Sequence, residues 1–415
     1  MSTTETLSAI FDNFFNGKKV FLNRNVLRHD FIPTTLPHRH FHIRRLGSIL
    51  APALEGSKVS NVFLYGKTGT GKTAVARFVL AGLEKKATDM KAPLSTCYLN
   101  CRLTGTNYRV IADLCRSLGV TVPFTGLAVA ELVDRFRDIL NRKRQMVIVT
   151  LDEIDALVKW KEENSLLYEL TRINETLTDS RVGLIGVSND LHFKEFLDPR
   201  VLSCLSEEEV VFRPYLADEL YDILLERARS AFVEEALSDS SLRLCAALAA
   251  REHGDARRAL DLLRVAGELA EREGGVVVKE DHIRSAERKI EYDRVSEVLK
   301  SLPLHPKIVV IGTHLLENHF PDGVITGDLY DLYRQLCSKA DIEPLTQRRV
   351  SGLVNELDIM GVVNARVVNF GRYGRTKKIR LGIERRTIAA TYSGDASVCR
   401  LLSHIPAPVQ GKLSR

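Results

Sequence analysis

Residues 66–73 read GKTGTGKT and stand between the apolar run Val62–Tyr65 and a helical pattern over 74–83. The spacing is G-x-x-x-x-G-K-[ST], with Gly66, Gly71, Lys72 and Thr73 at the fixed places and Lys67, Thr68, Gly69 and Thr70 between them. Glycines let successive backbone N–H groups converge on phosphate oxygens, and the following helix turns its positive N-terminus toward the same anion. A strand before and a helix after separate a phosphate loop from a chance glycine-rich turn. Lys72 is then expected to reach the β and γ phosphates of ATP or GTP, and the Thr73 hydroxyl to hold Mg²⁺.

A second acidic element follows about eighty residues later. The apolar run 146–151 ends in Asp152 and Glu153, followed by Ile154 and Asp155. A buried strand with two carboxylates at its end suits one acid for the Mg²⁺ shell and the next for polarising a water. Asp152 is assigned to the metal with Thr73, and Glu153 to the water. Asp155 either shares this site or simply begins the next helix.

Strand patterns at 62–65, 96–99, 146–151, 182–187 and 209–212 alternate with helical ones. Such alternation predicts a parallel sheet with helices on both faces and a ligand at the carboxyl ends of the strands, where Gly66, Asp152 and Asn189 fall. Asn189 is a candidate to hold the attacking water or the γ phosphate. Residues 216–299 read as helical throughout, with apolar spacing of three and four at Leu242, Cys245, Ala246 and Ala249. Within them Gly254-Asp255-Ala256-Arg257 opens a helix from which Arg257 is a candidate to face the phosphates. Arg258 reads as a solvated charge.

From 306 the pattern changes. Helical stretches at 307–317, 328–340 and 346–357 precede a hairpin with strands at 365–369 and 377–381, the plan of a winged helix. In the third helix Val350, Leu353, Val354 and Leu357 share one face for burial, while Arg348, Ser351, Gly352 and Asn355 share the other. That slim polar face, with Thr346 at its start, suits a major groove, and Arg349 lies to the side. The hairpin tip is Gly371, Arg372, Tyr373, Gly374 and Arg375. Between Gly361 and Arg386 eight Arg or Lys face the single acid Glu384, a clustering that points to double-stranded DNA. From 391 no periodicity remains, which predicts a flexible tail.

Length and composition agree with a multidomain globular protein. The chain has 415 residues, enough for two or three cores, and a net charge of +6 that favours an acidic partner without identifying one. No apolar run reaches membrane-spanning length and the opening MSTTETLSAIFDNFFNG lacks a signal-peptide layout, so an intracellular protein without membrane association is expected. Seven scattered cysteines do not form a disulfide framework, and Cys97 and Cys101 lack a second pair for zinc. His38, His40 and His42 would align only on a strand and read as polar surface near the nucleotide.

With the phosphate loop, LDEID, SND, GDARRALDLL and a terminal winged helix in this order, the chain resembles the archaeal replication initiators. These are AAA+ proteins related to the largest subunit of the eukaryotic origin recognition complex and to its helicase-loading partner. The resemblance spans residues 20–383 and includes FIPTTLPHR at 31–39, NCRLTGTNYRVIADL at 100–114 and DPRVLSCLSEEEVVF at 198–212. It implies an α/β AAA+ P-loop ATPase over 1–214, a helical lid over 215–299 and a winged-helix DNA-binding domain over 300–388, with 389–415 as the tail. It implies that Pro37, His38, Arg39 and Tyr215 join the loop in binding ATP or ADP, and that Asn189 and Arg257 are sensors. Arg200 is implied as an arginine finger acting on a neighbouring copy or paralogue, and Thr104, Thr106, Tyr108 and Arg109 as a DNA-contacting insertion. Origin DNA and the MCM replicative helicase are the implied partners, in the cytoplasm on the nucleoid. The chain departs from the family where His40, Phe41 and His42 replace acidic residues, and at Leu202 and Cys204. A nucleotide-switched winged-helix transcription regulator and a transposition-targeting ATPase are the competing readings.

Overall fold

The computed structural model describes residues 19–29, 31, 33–123, 126–158, 165–320, 322–369 and 375–406. The chain divides into two compact units, residues 1–286 and 287–415.

The first unit is built on five parallel strands in the order β2-β3-β4-β1-β5: β1 Val62–Tyr65, β2 Leu94–Asn100, β3 Met146–Asp152, β4 Arg181–Ser188 and β5 Glu208–Val211. All seven residues of β3 are buried, which explains why it reads as a continuous apolar run. Its side chains divide by parity. Val147, Val149 and Leu151 join one core with Phe63 and the helices Asn107–Ser117 and Val129–Lys143, while Met146 and Ile148 join another with Val62, Leu64 and the helix Lys72–Met90. The period of two thus sorts residues into two helical layers. Register places Tyr65 beside Ser188 and Asp152 beside both Asn100 and Val187. The phosphate loop, the acidic pair and Asn189 therefore gather at one end of the sheet.

The lid consists of Ala217–Ala231, Asp239–Glu252, Ala256–Arg272 and the beginning of Glu280–Ser301. Residues 216–299, expected to be helical throughout, are broken between these helices. Chain between the first two helices meets chain between the last two through a bridge of Leu237 to Val278, and Gly254 turns at φ 66° where an added Cβ would stand 2.4 Å from the Tyr215 carbonyl. A long-range pairing and a close backbone approach break the helices, and neither is visible in local periodicity.

The second unit packs Leu304–Glu317, Thr326–Lys339 and Gln347–Ile359 against an antiparallel sheet in the order β6-β8-β7, with β6 Val324–Ile325, β7 Val363–Asn369 and β8 Arg375–Leu381. The tail expected from 389 onward is corrected as far as the described residues reach. Helix Arg385–Ser393 continues the fold, and Tyr392, Val398 and Leu401 are buried in its core. Lys307 Nζ donates to Asp395 at 2.7 Å, and Tyr392 OH donates to the Leu299 carbonyl at 3.3 Å. Spaced aromatic and aliphatic residues close the core without helical periodicity.

Candidate nucleotide-binding site and nucleic-acid face

Crowding explains the glycines of the loop. A Cβ at Gly66 would stand 2.3 Å from the Phe212 carbonyl oxygen, at Gly69 1.7 Å from the Asp255 carboxylate, and at Gly71 2.7 Å from the Tyr215 hydroxyl. Gly69 and Gly71 also have φ of 67° and 89°, where side chains are strained. Thr70 Oγ1 donates to the Lys67 carbonyl at 2.8 Å and closes the turn, while Thr68 follows within it.

Lys72 opens the helix after the loop, and its ammonium donates to the carbonyls of Gly66 at 2.8 Å and Lys67 at 2.7 Å. Burial pushes its pKa down to about 8, with Asp152 pulling the other way. Thr73 Oγ1 donates to Asp152 Oδ2 at 2.8 Å, so the two residues assigned to Mg²⁺ meet. Glu153 follows with its backbone N–H on Asp152 Oδ1 at 2.9 Å and a left-handed φ of 52°; its carboxylate lies 4.0 Å from Arg102. Asp155 accepts from Ser188 Oγ at 3.0 Å and begins a short helix, so it braces the strand ends.

A cleft opens over the loop. Gly69, Gly71, Lys72, Thr73, Asn189 and Arg257 line one part, and Phe31, Pro33, Leu36, Pro37, Ile223 and Leu260 line an apolar part. Tyr215 lines it as well. Crowded loop glycines, a buried ammonium and a hydroxyl–carboxylate pair suit a polyphosphate with a hard cation. Arg257 is exposed and sits at the N-terminus of a helix capped by Asp255, which accepts its N–H at 2.7 Å. The lid touches the loop directly there, since Ala256 N donates to the Gly69 carbonyl at 3.1 Å.

Arg39 and His38 stand apart from the apolar part of the cleft. Arg39 is 1% exposed and donates to the carbonyls of Thr70, His38 and Arg213 at 3.0–3.1 Å, with its guanidinium 3.7 Å from the Tyr215 ring centroid. It props the loop from behind. His38 Nε2 lies 2.7 Å from Asp222 on the first lid helix. His42, expected as polar surface, is buried and stacked on Phe212 at 4.4 Å, while His40 is exposed. No His/Cys/Asp/Glu cluster among the described residues could hold a metal ion by itself. Arg258, expected to be solvated, is held by Glu252 at 2.8 and 3.2 Å. Arg200 is exposed on Pro199–Leu205, whose start Asp198 caps.

In the insertion, Thr104 ends one short helix and Thr106 caps the next by accepting from Arg109 N at 3.3 Å. Arg109 is exposed, whereas Tyr108 packs on the core and donates to the Pro123 carbonyl at 2.8 Å. On the second unit, Arg348 and Ser351 share a groove with Thr326, Arg375 and Lys377. Thr346 caps this helix, Arg349 turns to Glu356 at 3.6 Å, and Lys377 donates to Asn355. Gly371, Arg372, Tyr373 and Gly374 lie outside the described residues. The hairpin's cation surplus is partly spent within the fold: Arg380 meets Asp322, Arg385 donates to the His314 carbonyl at 3.0 Å and Arg386 meets Glu384 at 3.2 Å. Arg366 instead faces Lys378 directly across the strands, a like-charge pair that an anion would relieve.

Comparison with known proteins gives three family matches in chain order: the AAA domain over 57–193, the Cdc6 AAA+ ATPase-type lid domain over 221–288 and the CDC6 C-terminal winged helix domain over 297–391. An ORC1-type DNA replication protein of Thermococcus kodakarensis is 50% identical over 401 residues, 96% of each chain. The chain belongs to the ORC1-type DNA replication proteins. Another ORC1-type relative, from Archaeoglobus fulgidus, is 46% identical over 93% of this chain and 94% of its own. The Aeropyrum pernix ORC1 protein, solved in complex with DNA, superposes with a TM-score of 0.81 at 49% identity, covering 92% of this chain and 99% of that one.

In this ORC1-type chain two residues near the nucleotide site escape motif reading. Tyr98 donates its phenol to Asp152, and Asp255 both caps the lid helix and crowds Gly69. An Asp before a helix signals a cap; nothing local in the sequence marks Tyr98.

Proposed function

We propose that this protein is an ATP-dependent origin-binding protein that initiates DNA replication and helps recruit or load the MCM replicative helicase, with slow Mg²⁺-dependent hydrolysis as its switch. The observation that carries the reading is the contact between lid and loop: Ala256 N on the Gly69 carbonyl, with Arg257 opening the same helix into the phosphate part of the cleft. A lid that touches the loop and the bound phosphates changes position with the nucleotide's state. Bound Mg²⁺ would supply charge neutralisation at the phosphates. Thr73 and Asp152 would hold it, Lys72 and Arg257 would contact phosphate oxygens, and Glu153 and Asn189 would orient the attacking water.

Arg348 and Ser351 read base edges of double-stranded origin DNA, while Arg349, Arg375 and the insertion from Thr104 to Arg109 hold its backbone. The Aeropyrum pernix ORC1 protein, 49% identical and solved in complex with DNA, supports DNA as the partner. Arg200, exposed and outside the lining of its own cleft, serves the site of a further copy or paralogue assembled on DNA. Among the described residues no helix is long and apolar enough to cross a membrane, and the protein works in the cytoplasm on the nucleoid.

The test is a footprint on total genomic DNA fragments with and without ATP. Protection confined to a few repeat clusters, and sharpened by ATP, is expected. Protection scattered over promoters would favour the transcription-regulator reading.

A further inference from the structure

The carboxyl end of β2 carries a side chain that acts on the metal acid. Tyr98 pairs in register with Thr150 of β3, two residues before Asp152, and its phenol donates to Asp152 Oδ2. The same oxygen accepts from Thr73 at 2.8 Å, and Oδ1 accepts the Glu153 N–H at 2.9 Å. Asp152 is 4% exposed, so these three protein donors, rather than water, orient its carboxylate. The Tyr98 ring lies 4.2 Å below the Arg77 guanidinium, and Arg77 lines the nucleotide cleft.

Rotation of an aspartate about its last torsion is soft. A buried carboxylate at a cation site therefore takes its orientation from the donors behind it, and loss of such a donor commonly weakens metal binding by about 10–100-fold. We infer that Tyr98 is a positioning residue for the Mg²⁺-binding carboxylate: its phenol sets the orientation in which Asp152 meets the cation, and Arg77 steadies the ring from the cleft side. The inference rests on the proposed assignment of Thr73 and Asp152 to Mg²⁺. Tyr98 forms no part of the phosphate-loop or acidic motifs.

The experiment uses the full chain and a fluorescent N-methylanthraniloyl ATP, with affinity measured across a MgCl2 series and in EDTA. Tyr98→Phe keeps the ring and its stacking partner. It is expected to raise the Mg²⁺ concentration at half-effect about ten-fold while leaving the affinity in EDTA and the melting temperature close to the parent's. Arg77→Lys, which loosens the ring and spares the phenol, shifts the half-effect less and in the same direction. An unchanged or lower half-effect in Tyr98→Phe overturns the inference while leaving the Mg²⁺ site in place. A parent protein whose affinity ignores Mg²⁺ overturns the site itself, and the inference with it.

Discussion

The phosphate loop and the polar face of the winged helix are both rich in cations, yet they hold them in opposite ways. Lys72 is 4% exposed and Arg39 1%, each anchored on backbone carbonyls. Arg348 and Arg375 are exposed at the rim of an open groove. Fixed, desolvated donors meet a ligand with little reorganisation and depend on geometry. Exposed ones draw a polyanion from a distance and weaken as salt rises. One site is set by shape and the other by field.

The sharpest break of that contrast comes from Lys72→Ala, which should lower ATP affinity at least 100-fold, about 2.7 kcal/mol, by calorimetric titration. Glu153→Gln should bind ATP nearly as well and lose about two orders of magnitude in turnover, since only the water loses its partner. Parent-like turnover in both variants would remove the assigned chemistry. Of comparable size is Arg39→Ala. It strands three carbonyls behind the loop, so urea unfolding should report a loss of about 3 kcal/mol; a neutral result would mean that the loop holds its shape without a prop.

On the winged helix, Arg348→Ala should cost about 1–3 kcal/mol on the preferred duplex and little on a scrambled one. Arg375→Ala should weaken both duplexes evenly and reduce the salt slope by about one unit. Identical behaviour of the two variants in titrations at several salt concentrations would erase the division between reading and gripping.

The smallest expected effect concerns acid. The hydrogen bond from Lys307, then that from Ser397, lowers the Asp395 pKa from 3.8 to about 2. A folded-state pKa below the unfolded one stabilises the protein above about pH 4, and that contribution disappears as pH falls toward 2. Lys307→Met should therefore lower the melting temperature slightly at pH 5 and make no difference near pH 2, a contribution of about 1 kcal/mol or less for this partly solvated pair. An equal deficit at both pH values would attribute it to packing instead.

The sheet was legible because buried parallel strands leave apolar runs: β1 spans the predicted Val62–Tyr65, and β3 adds only Asp152 to the predicted run. Thr73 and Asp152 were legible because each stands at a recognisable place, the last residue of the phosphate loop and the end of a buried apolar strand. Arg39 was not, since its partners at Thr70 and Arg213 are 31 and 174 residues away. Counting cations overstated the hairpin's free charge for the same reason, as Arg380 and Arg385 find acceptors outside the counted stretch. Val398 and Leu401 likewise look like tail until the core they fill is assembled. Local pattern reports what the backbone demands; pairings across the chain appear only with the fold.

Glu153 holds a left-handed backbone at φ 52°. For a side-chain-bearing residue that posture costs about 1 kcal/mol, which glycine would avoid. Screening variants by heat resistance alone would thus favour a replacement that erases the carboxylate: a library ranked by melting temperature would rise at this position as it lost turnover.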